Sequence, residues 1–97
     1  MSDAEPEVRV VHDADAQRFR AGEGEGAAVL QYRLTPGRIT FLHTLVPEVL
    51  RGQGIAQKLA HAGLEHARAE GLRVVPICPF VQSYVKKHPE YQTLVEG

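Results

Sequence analysis

The sequence predicts an α/β domain of the α+β kind: a mostly antiparallel, twisted sheet of about five strands, with its main helix after the fourth strand and a short helix near the C-terminus. Three observations predict it. Short β-branched and aromatic runs in the first half are separated by Gly and Pro turns. At Pro47 the pattern changes, and from Gly52 to Glu70 the apolar residues recur with helical period. The chain has 97 residues, which suits one domain with a modest core. Residues 1–97 are therefore expected to form a single unit, with the acidic start at Asp3 and Glu5 flexible over residues 1–6.

The elements follow in order. Val8-Arg9-Val10-Val11-His12 is short and β-branched and is expected as a strand. Gln17 to Arg20 is expected as a weak edge strand, and Gly22-Glu23-Gly24-Glu25-Gly26 as a turn. Ala27 to Leu34 is a strand, and Thr35-Pro36-Gly37 turns it back, with Gly37 at the position of a type II turn that needs φ above zero. Arg38 to Val46 is the fourth strand. In the helix that follows, Ile55, Ala56, Leu59, Ala60, Gly63, Leu64 and Ala67 share one face; Gln57, Lys58, His61, Glu65 and Arg68 take the other. Gly71 stops the helix. Leu72 to Ile77 is the fifth strand, and Pro76 within it predicts an edge, a bulge or a splayed pairing. Phe80 to Lys87 is a short helix with Pro79 at its start, and Glu90 to Leu94 a last turn.

Composition removes several classes. A net charge of −1 lacks the basic footprint of a nucleic-acid binder. Apolar runs are too short for a bilayer, so no membrane partner is expected. The lone cysteine, Cys78, cannot form an internal disulfide, and the acidic N-terminus does not resemble a signal peptide. A reducing, cytoplasmic location and a monomer are the expectations. His61 and Glu65 stand one helical turn apart, but without a third converging ligand a solvated helix face outweighs a metal site, and no metal is expected.

The chemistry-bearing feature is the turn Arg51-Gly52-Gln53-Gly54 before the helix. The first N–H groups of a helix lack intrahelical partners and sit at the positive end of its dipole. Glycines let a ligand approach the backbone, so a strand, a glycine turn and a helix make a phosphate cradle. The P-loop and dinucleotide patterns do not fit: Gly54 is followed by Ile55-Ala56-Gln57-Lys58, and no third glycine is present. A mere tight corner fits two glycines equally well.

Val49-Leu50-Arg51-Gly52-Gln53-Gly54 resembles the GNAT acetyltransferase signature Gln/Arg-x-x-Gly-x-Gly/Ala, departing from it at Val49. The run from Cys78-Pro79-Phe80 through Tyr84 to His88-Pro89-Glu90-Tyr91, with His43-Thr44, resembles a small single-domain GNAT-like family. The likeness spans about Val8 to Val95. It implies a minimal GNAT fold and acetyl-CoA as co-substrate. The pyrophosphate of coenzyme A would lie on Arg51, Gly52, Gln53, Gly54, Ile55 and Ala56. Pantetheine would pair like a strand with Leu45 and Val46, between two strands that splay apart, with Cys78, Pro79, Phe80 and Tyr84 also contacting the cofactor and Lys87 its phosphates.

Three residues are candidates for the transfer itself. No acid occurs from Arg38 to Val46, which leaves His43 as the titratable group of that strand; imidazoles titrate near neutral pH. A core histidine on the Ile39–Phe41 face is the equal alternative. Cys78 closes the fifth strand, where a helix start favours a thiolate and His43 could pair with it, against the commoner role of a small buried apolar group. Tyr84 matches the position of a helix tyrosine that serves GNAT enzymes as acid toward the coenzyme A sulfur, against simple packing of its ring. Lys87, with Lys86 and His88, could meet phosphate or simply cap a helix end. The leading reading is an N-acetyltransferase moving acetyl to an amine: a protein lysine, a polyamine or a small amine. Its rivals are a non-catalytic acyl-CoA-binding module and a protein-interaction domain. The resemblance implies an open acceptor side, because only residues 13–26 stand where GNAT enzymes place acceptor-shaping helices.

Overall fold

Five strands lie in chain order in one sheet, β1 (Val10–Asp13), β2 (Arg18–Ala21), β3 (Ala28–Thr35), β4 (Arg38–Leu45) and β5 (Arg73–Pro76). The computed structural model describes residues 9–22 and 24–95. The acidic start, Val8 of the expected first strand and Glu23 of the expected turn lie outside the described residues. The first four strands pair antiparallel, and β5 pairs parallel with β4. Gly37 has φ +73°, as the two-residue β3–β4 turn requires.

One expectation is corrected. Arg18–Ala21 is an interior strand, bonded to β1 on one side and β3 on the other; β1 is the edge. The physical reason is its alternation. Phe19 and Ala21 are buried, while Arg18 and Arg20 carry long stems over the outer face, so the strand supports neighbours on both sides.

The helix α1 (Ile55–Glu70) crosses the sheet from β4 to β5. Ile55, Leu59, Ala60, Gly63, Leu64 and Ala67 are its buried face, the apolar stripe of the sequence less the half-buried Ala56. Gly71 caps it at φ +69°. Gly63 serves a different purpose: a Cβ there would stand 2.8 Å from Cε1 of Phe41 and 3.2 Å from Cδ2 of Leu30. The helix therefore rests against the sheet at its one position without a side chain. The helix α2 (Pro79–Lys87) adds Val81, Tyr84 and Val85 to the same core. A short 3-10 stretch, Pro89–Leu94, folds back so that Tyr91, 1% exposed, seals it.

Tyr91 is held from α1. Its hydroxyl donates to Glu65 Oε2 at 2.6 Å and lies 3.1 Å from His61 Nδ1. Burial and Glu65 push the phenol far up, and the Tyr91 hydroxyl, more than Arg68, holds Glu65 below the usual carboxylate range. His61 and Glu65 thus share a buried phenol as their common partner. The outer edge of β5 is covered in the same way: Val95 bridges Val74, and the Arg73 guanidinium donates to the carbonyls of Thr93 and Val95. Among the described residues no helix is long and apolar enough to cross a membrane.

Candidate functional site

The site begins where β4 and β5 part. Their register runs from Arg38 opposite Arg73 to Phe41 opposite Pro76 and stops. Two local features end it. Ile77 and Cys78 both donate their N–H to the Phe41 carbonyl, at 3.1 and 2.9 Å, so the ladder cannot advance. Pro79 then lacks an N–H and starts α2 at once. Arg73 and Ile77 point their N–H groups at β4, which leaves the missing N–H of Pro76 on the outer edge, where it costs nothing. Leu42 to Leu45 continue with β3 on one side and no strand on the other among the described residues. Of the edge, bulge or splayed pairing that Pro76 left open, the strands show the splayed one, with Pro76 itself on the outer edge.

A bulge re-aims the side chains of that open stretch. Tyr32 pairs with Phe41 but Gln31 pairs with His43, so Leu42 is the extra residue. Simple alternation from Ile39 and Phe41 would put His43 on the helix side. The bulge instead sets His43 beside Gln31 on the outer face, where it is exposed, and turns Thr44 inward opposite Leu30. Thr44 Oγ1 lies 3.2 Å from the Cys78 sulfur. Cys78 is a free thiol, 2% exposed, at the N-cap of α2. The hydroxyl that reaches Cys78 is thus Thr44's, and His43 and Thr44 present opposite faces at one level of the strand. Thr44 is a site residue that sequence reasoning left without a role, because the signal lies in a bulge that no residue type announces.

The glycine turn follows. After Leu45 a 3-10 turn, Glu48–Leu50, brings the chain to Arg51, whose Nε donates to the Val46 carbonyl at 3.2 Å. This bond ties the end of β4 to the turn. Gly52 and Gly54 have φ of +82° and +72°, a region that side-chain-bearing residues enter at a cost. A Cβ on Gly52 would meet nothing within 4 Å, and on Gly54 only the Gln57 side chain at 3.9 Å. The glycines therefore serve the backbone path and leave open space above it. Gly54 is the N-cap of α1, with no side-chain cap, and no acid occupies the first turn. Among the described residues the leading N–H groups of α1, at Ile55 and Ala56, meet no side-chain acceptor.

Tyr84 stands on the inner side of α2. It stacks on His88 at 3.9 Å between ring centroids, with Phe80 at 6.5 Å. Burial pushes its phenol up, and Glu90 and Glu65 add to the effect, so the group keeps its proton at neutral pH. Its position on the His88 ring is fixed from behind: His88 Nδ1 donates to the Tyr84 carbonyl at 2.8 Å. Tyr84 also borders a groove of about 590 Å³ lined with Gln57, Lys58, His61 and Ala62 of α1 and with Arg9 and Val10. Pro79 is exposed and Phe80 half-buried at the start of α2, whereas Lys87 is exposed at its far end, beside the negative pole of the helix.

A sheet opened between two parallel strands, followed by a glycine turn onto an uncapped helix, defines the class to which this protein belongs. The profile of the GCN5-related N-acetyl-transferase family matches residues 18–94, and the chain belongs to that family. Its vertebrate relatives include Protein NATD1 of Mus musculus and of Homo sapiens, each 40% identical over 90 residues; these cover 90% of this chain and 82% or 80% of the relative. Protein NATD1 of Danio rerio is 35% identical over 95% of this chain. A solved relative, a GCN5-like putative N-acetyltransferase from Staphylococcus aureus, superposes with a TM-score of 0.74 at 30% identity over 93% of this chain and 89% of its own.

Proposed function

We propose that this chain binds acetyl-CoA across the turn Arg51–Ala56 and in the gap beyond Phe41, and transfers its acetyl group to a primary amine. The observation that carries the reading is the conjunction of a β4 stretch left without β5 among the described residues with an uncapped helix start under two glycines of positive φ. The residues fit the ligand. The amides of Gly52 to Ala56 and the Arg51 guanidinium suit a pyrophosphate. Backbone groups of Leu45 and Val46 suit an extended amide chain, as a strand would. Arg9 and Lys58 of the groove beside Tyr84 suit the remaining phosphate of the nucleotide.

In the transfer the acceptor nitrogen bonds to the acetyl carbon as the carbon–sulfur bond breaks. The amine gives its proton to His43 or to water, and the departing sulfur takes one from Tyr84. Cys78, held by Thr44, lines the inner side of the thioester position. Transfer directly to the amine needs only positioning and a base, which the open stretch supplies.

Thermal melts with and without acetyl-CoA test the binding. Ligand at one hundred times its dissociation constant adds about 2.7 kcal/mol to stability, and the absence of any shift at saturating ligand refutes the reading. The absence of a carboxylate on β4 favours a second reading, a non-catalytic acyl-CoA-binding module. Turnover separates the two: release of free thiol from acetyl-CoA in the presence of amines supports the enzyme, and binding without release supports the module.

A further inference from the structure

The two faces of the sheet differ in charge as well as in cover. Both helices feed one core on the face of Phe19, Leu30, Ile39, Phe41 and Val74. On the other face every strand residue is half-buried or exposed. All five arginines of the strands point there: Arg18, Arg20, Arg33, Arg38 and Arg73 alternate with core residues in their own strands. The strands carry one carboxylate, Asp13 at the edge, paired with Arg18 at 3.3 Å, and Glu25 borders a hollow with Arg18 and Arg20. The Arg20 and Arg73 guanidiniums bond to neutral carbonyls, and neither forms an ion pair among the described residues. A chain of net charge −1 thus gathers five of its eleven cations on one face that no described helix covers.

The same face holds His43, and the register fixes how near. Arg18, Gln31 and His43 form one row across β2, β3 and β4, with Arg20, Val29 and Leu45 as the next. Two strand spacings place Arg18 about 10 Å from His43. An extended peptide covers that distance in about three residues. Arginine, rather than lysine, is the residue suited to bidentate pairing with carboxylates. The described strand residues of this face include no Phe, Tyr or Trp, and so offer no stacking platform of the kind a single-strand nucleic-acid binder uses.

We propose that the uncovered face of the sheet receives an acidic protein segment, and that the acceptor it delivers to His43 is a lysine with Asp or Glu about three residues away. Naming the acceptor in this way rests on the transferase reading; the docking surface does not. Pairing those carboxylates with arginines also removes the negative charge that would hold the lysine protonated.

Fluorescence anisotropy with the full chain and coenzyme A tests the proposal, using three labelled peptides of equal length. Each has one lysine, flanked by Asp and Glu, by Gly and Ser, or by Arg. The acidic peptide should bind about tenfold more tightly than the neutral one, and more weakly as salt rises. The pair Arg20→Glu and Arg33→Glu should reverse the order, and the milder pair Arg20→Gln and Arg33→Gln should flatten it if charge reversal unfolds the chain. Equal binding of the three peptides, or an order that survives both pairs, overturns the proposal. So does a single-stranded oligonucleotide that displaces the acidic peptide at lower concentration. Acetyl transfer is measured alongside. If the acidic preference holds and no peptide is acetylated, the surface stands and the transferase reading fails; if a small amine is acetylated and the peptides bind alike, the reverse is true.

Discussion

The first half of β4, Arg38–Phe41, and its second half, Leu42–Leu45, belong to one strand and are held in different ways. Along the first half β3 and β5 pair on both sides, and Ile39 and Phe41 are 0% exposed beneath α1. Along the second half β3 alone pairs among the described residues, a bulge shifts the register, and Leu45 is 61% exposed. The first half is where the fold is made, through close packing of helix on sheet. The second half leaves backbone groups without a strand partner, an arrangement a fold keeps where a ligand supplies the missing pairs. Damage to the first half should therefore lower stability and leave ligand binding intact in whatever remains folded. Damage beside the second half should do the opposite.

The largest expected effect lies under Phe41. Gly63→Val places a branched side chain where even a Cβ would come within 2.8 Å of the Phe41 ring. Overpacking of this kind costs about 3 kcal/mol, against which a better helix former than glycine returns less than about 1 kcal/mol. Denaturant unfolding reads the loss directly. A variant as stable as the parent would show that α1 can lift from the sheet and that the first half is not the rigid part.

Next comes the turn. Gly54→Glu forces a side chain into φ +72° and sets a carboxylate at the mouth of the cradle. The backbone cost is about 1–2 kcal/mol, but the informative change is the disappearance of the stabilisation of about 2.7 kcal/mol that saturating acetyl-CoA should bring. If the ligand still raises the melting temperature of this variant, the nucleotide does not sit on this helix start and the comparison between the two halves fails at its functional end.

Much of this architecture could be read from the sequence because it is carried by period and by turn residues. The stripe from Ile55 to Ala67, the Pro36-Gly37 turn and the Gly71 stop each depend on a residue type with one strong local preference. Pro76 pointed to an edge, a bulge or a splayed pairing because a proline cannot donate to a ladder, and Pro79 marked the start of α2. What could not be read depends on neighbours distant in sequence. The bulge at Leu42 follows from the whole β3–β4 pairing, so the outward turn of His43 and the contact of Thr44 with Cys78 have no local signal. The interior place of β2 was hidden because a strand with two arginines in four residues reads as an edge. Gly63 looked like one more small residue on an apolar stripe until Phe41 was found beneath it.

Tyr91→Phe separates packing from hydrogen bonding at the back of α1. The ring stays and the hydroxyl's bonds to Glu65 and His61 go. The expected loss is about 1 kcal/mol, or roughly 4–8 °C in melting temperature for a domain of this size. The same change releases Glu65 from its main cause of low pKa. Because a lowered carboxylate pKa contributes stability above the unfolded value and loses it as pH falls, the gap between parent and variant should narrow on acidification. A gap that stays constant with pH would mean that the Tyr91–Glu65 bond does not persist in solution.

The smallest effect concerns β1, an edge strand of the sheet. His12 stacks on Phe19 at 4.3 Å with 9° between the planes, contacts His66 at 4.4 Å, and has its Nε2 2.6 Å from the Tyr32 hydroxyl. The residue as a whole is exposed, yet burial of the ring among these neighbours pushes its pKa below the ordinary value, and His66 adds to the shift. The sign follows. Below about pH 6.5 the unfolded chain takes up a proton on His12 that the folded chain resists, so stability falls as pH drops through that value, and the fall ends once the folded form is protonated as well. Above about pH 7 the residue contributes no slope. Because solvent reaches much of the ring, the fall is a shallow one. His12→Phe keeps an aromatic ring beside Phe19 and removes the proton. Melting temperatures taken in steps from about pH 7.5 to about pH 5.5 should decline less in the variant than in the parent. Parallel declines would assign the acid sensitivity to other groups and leave the His12 stack as packing alone.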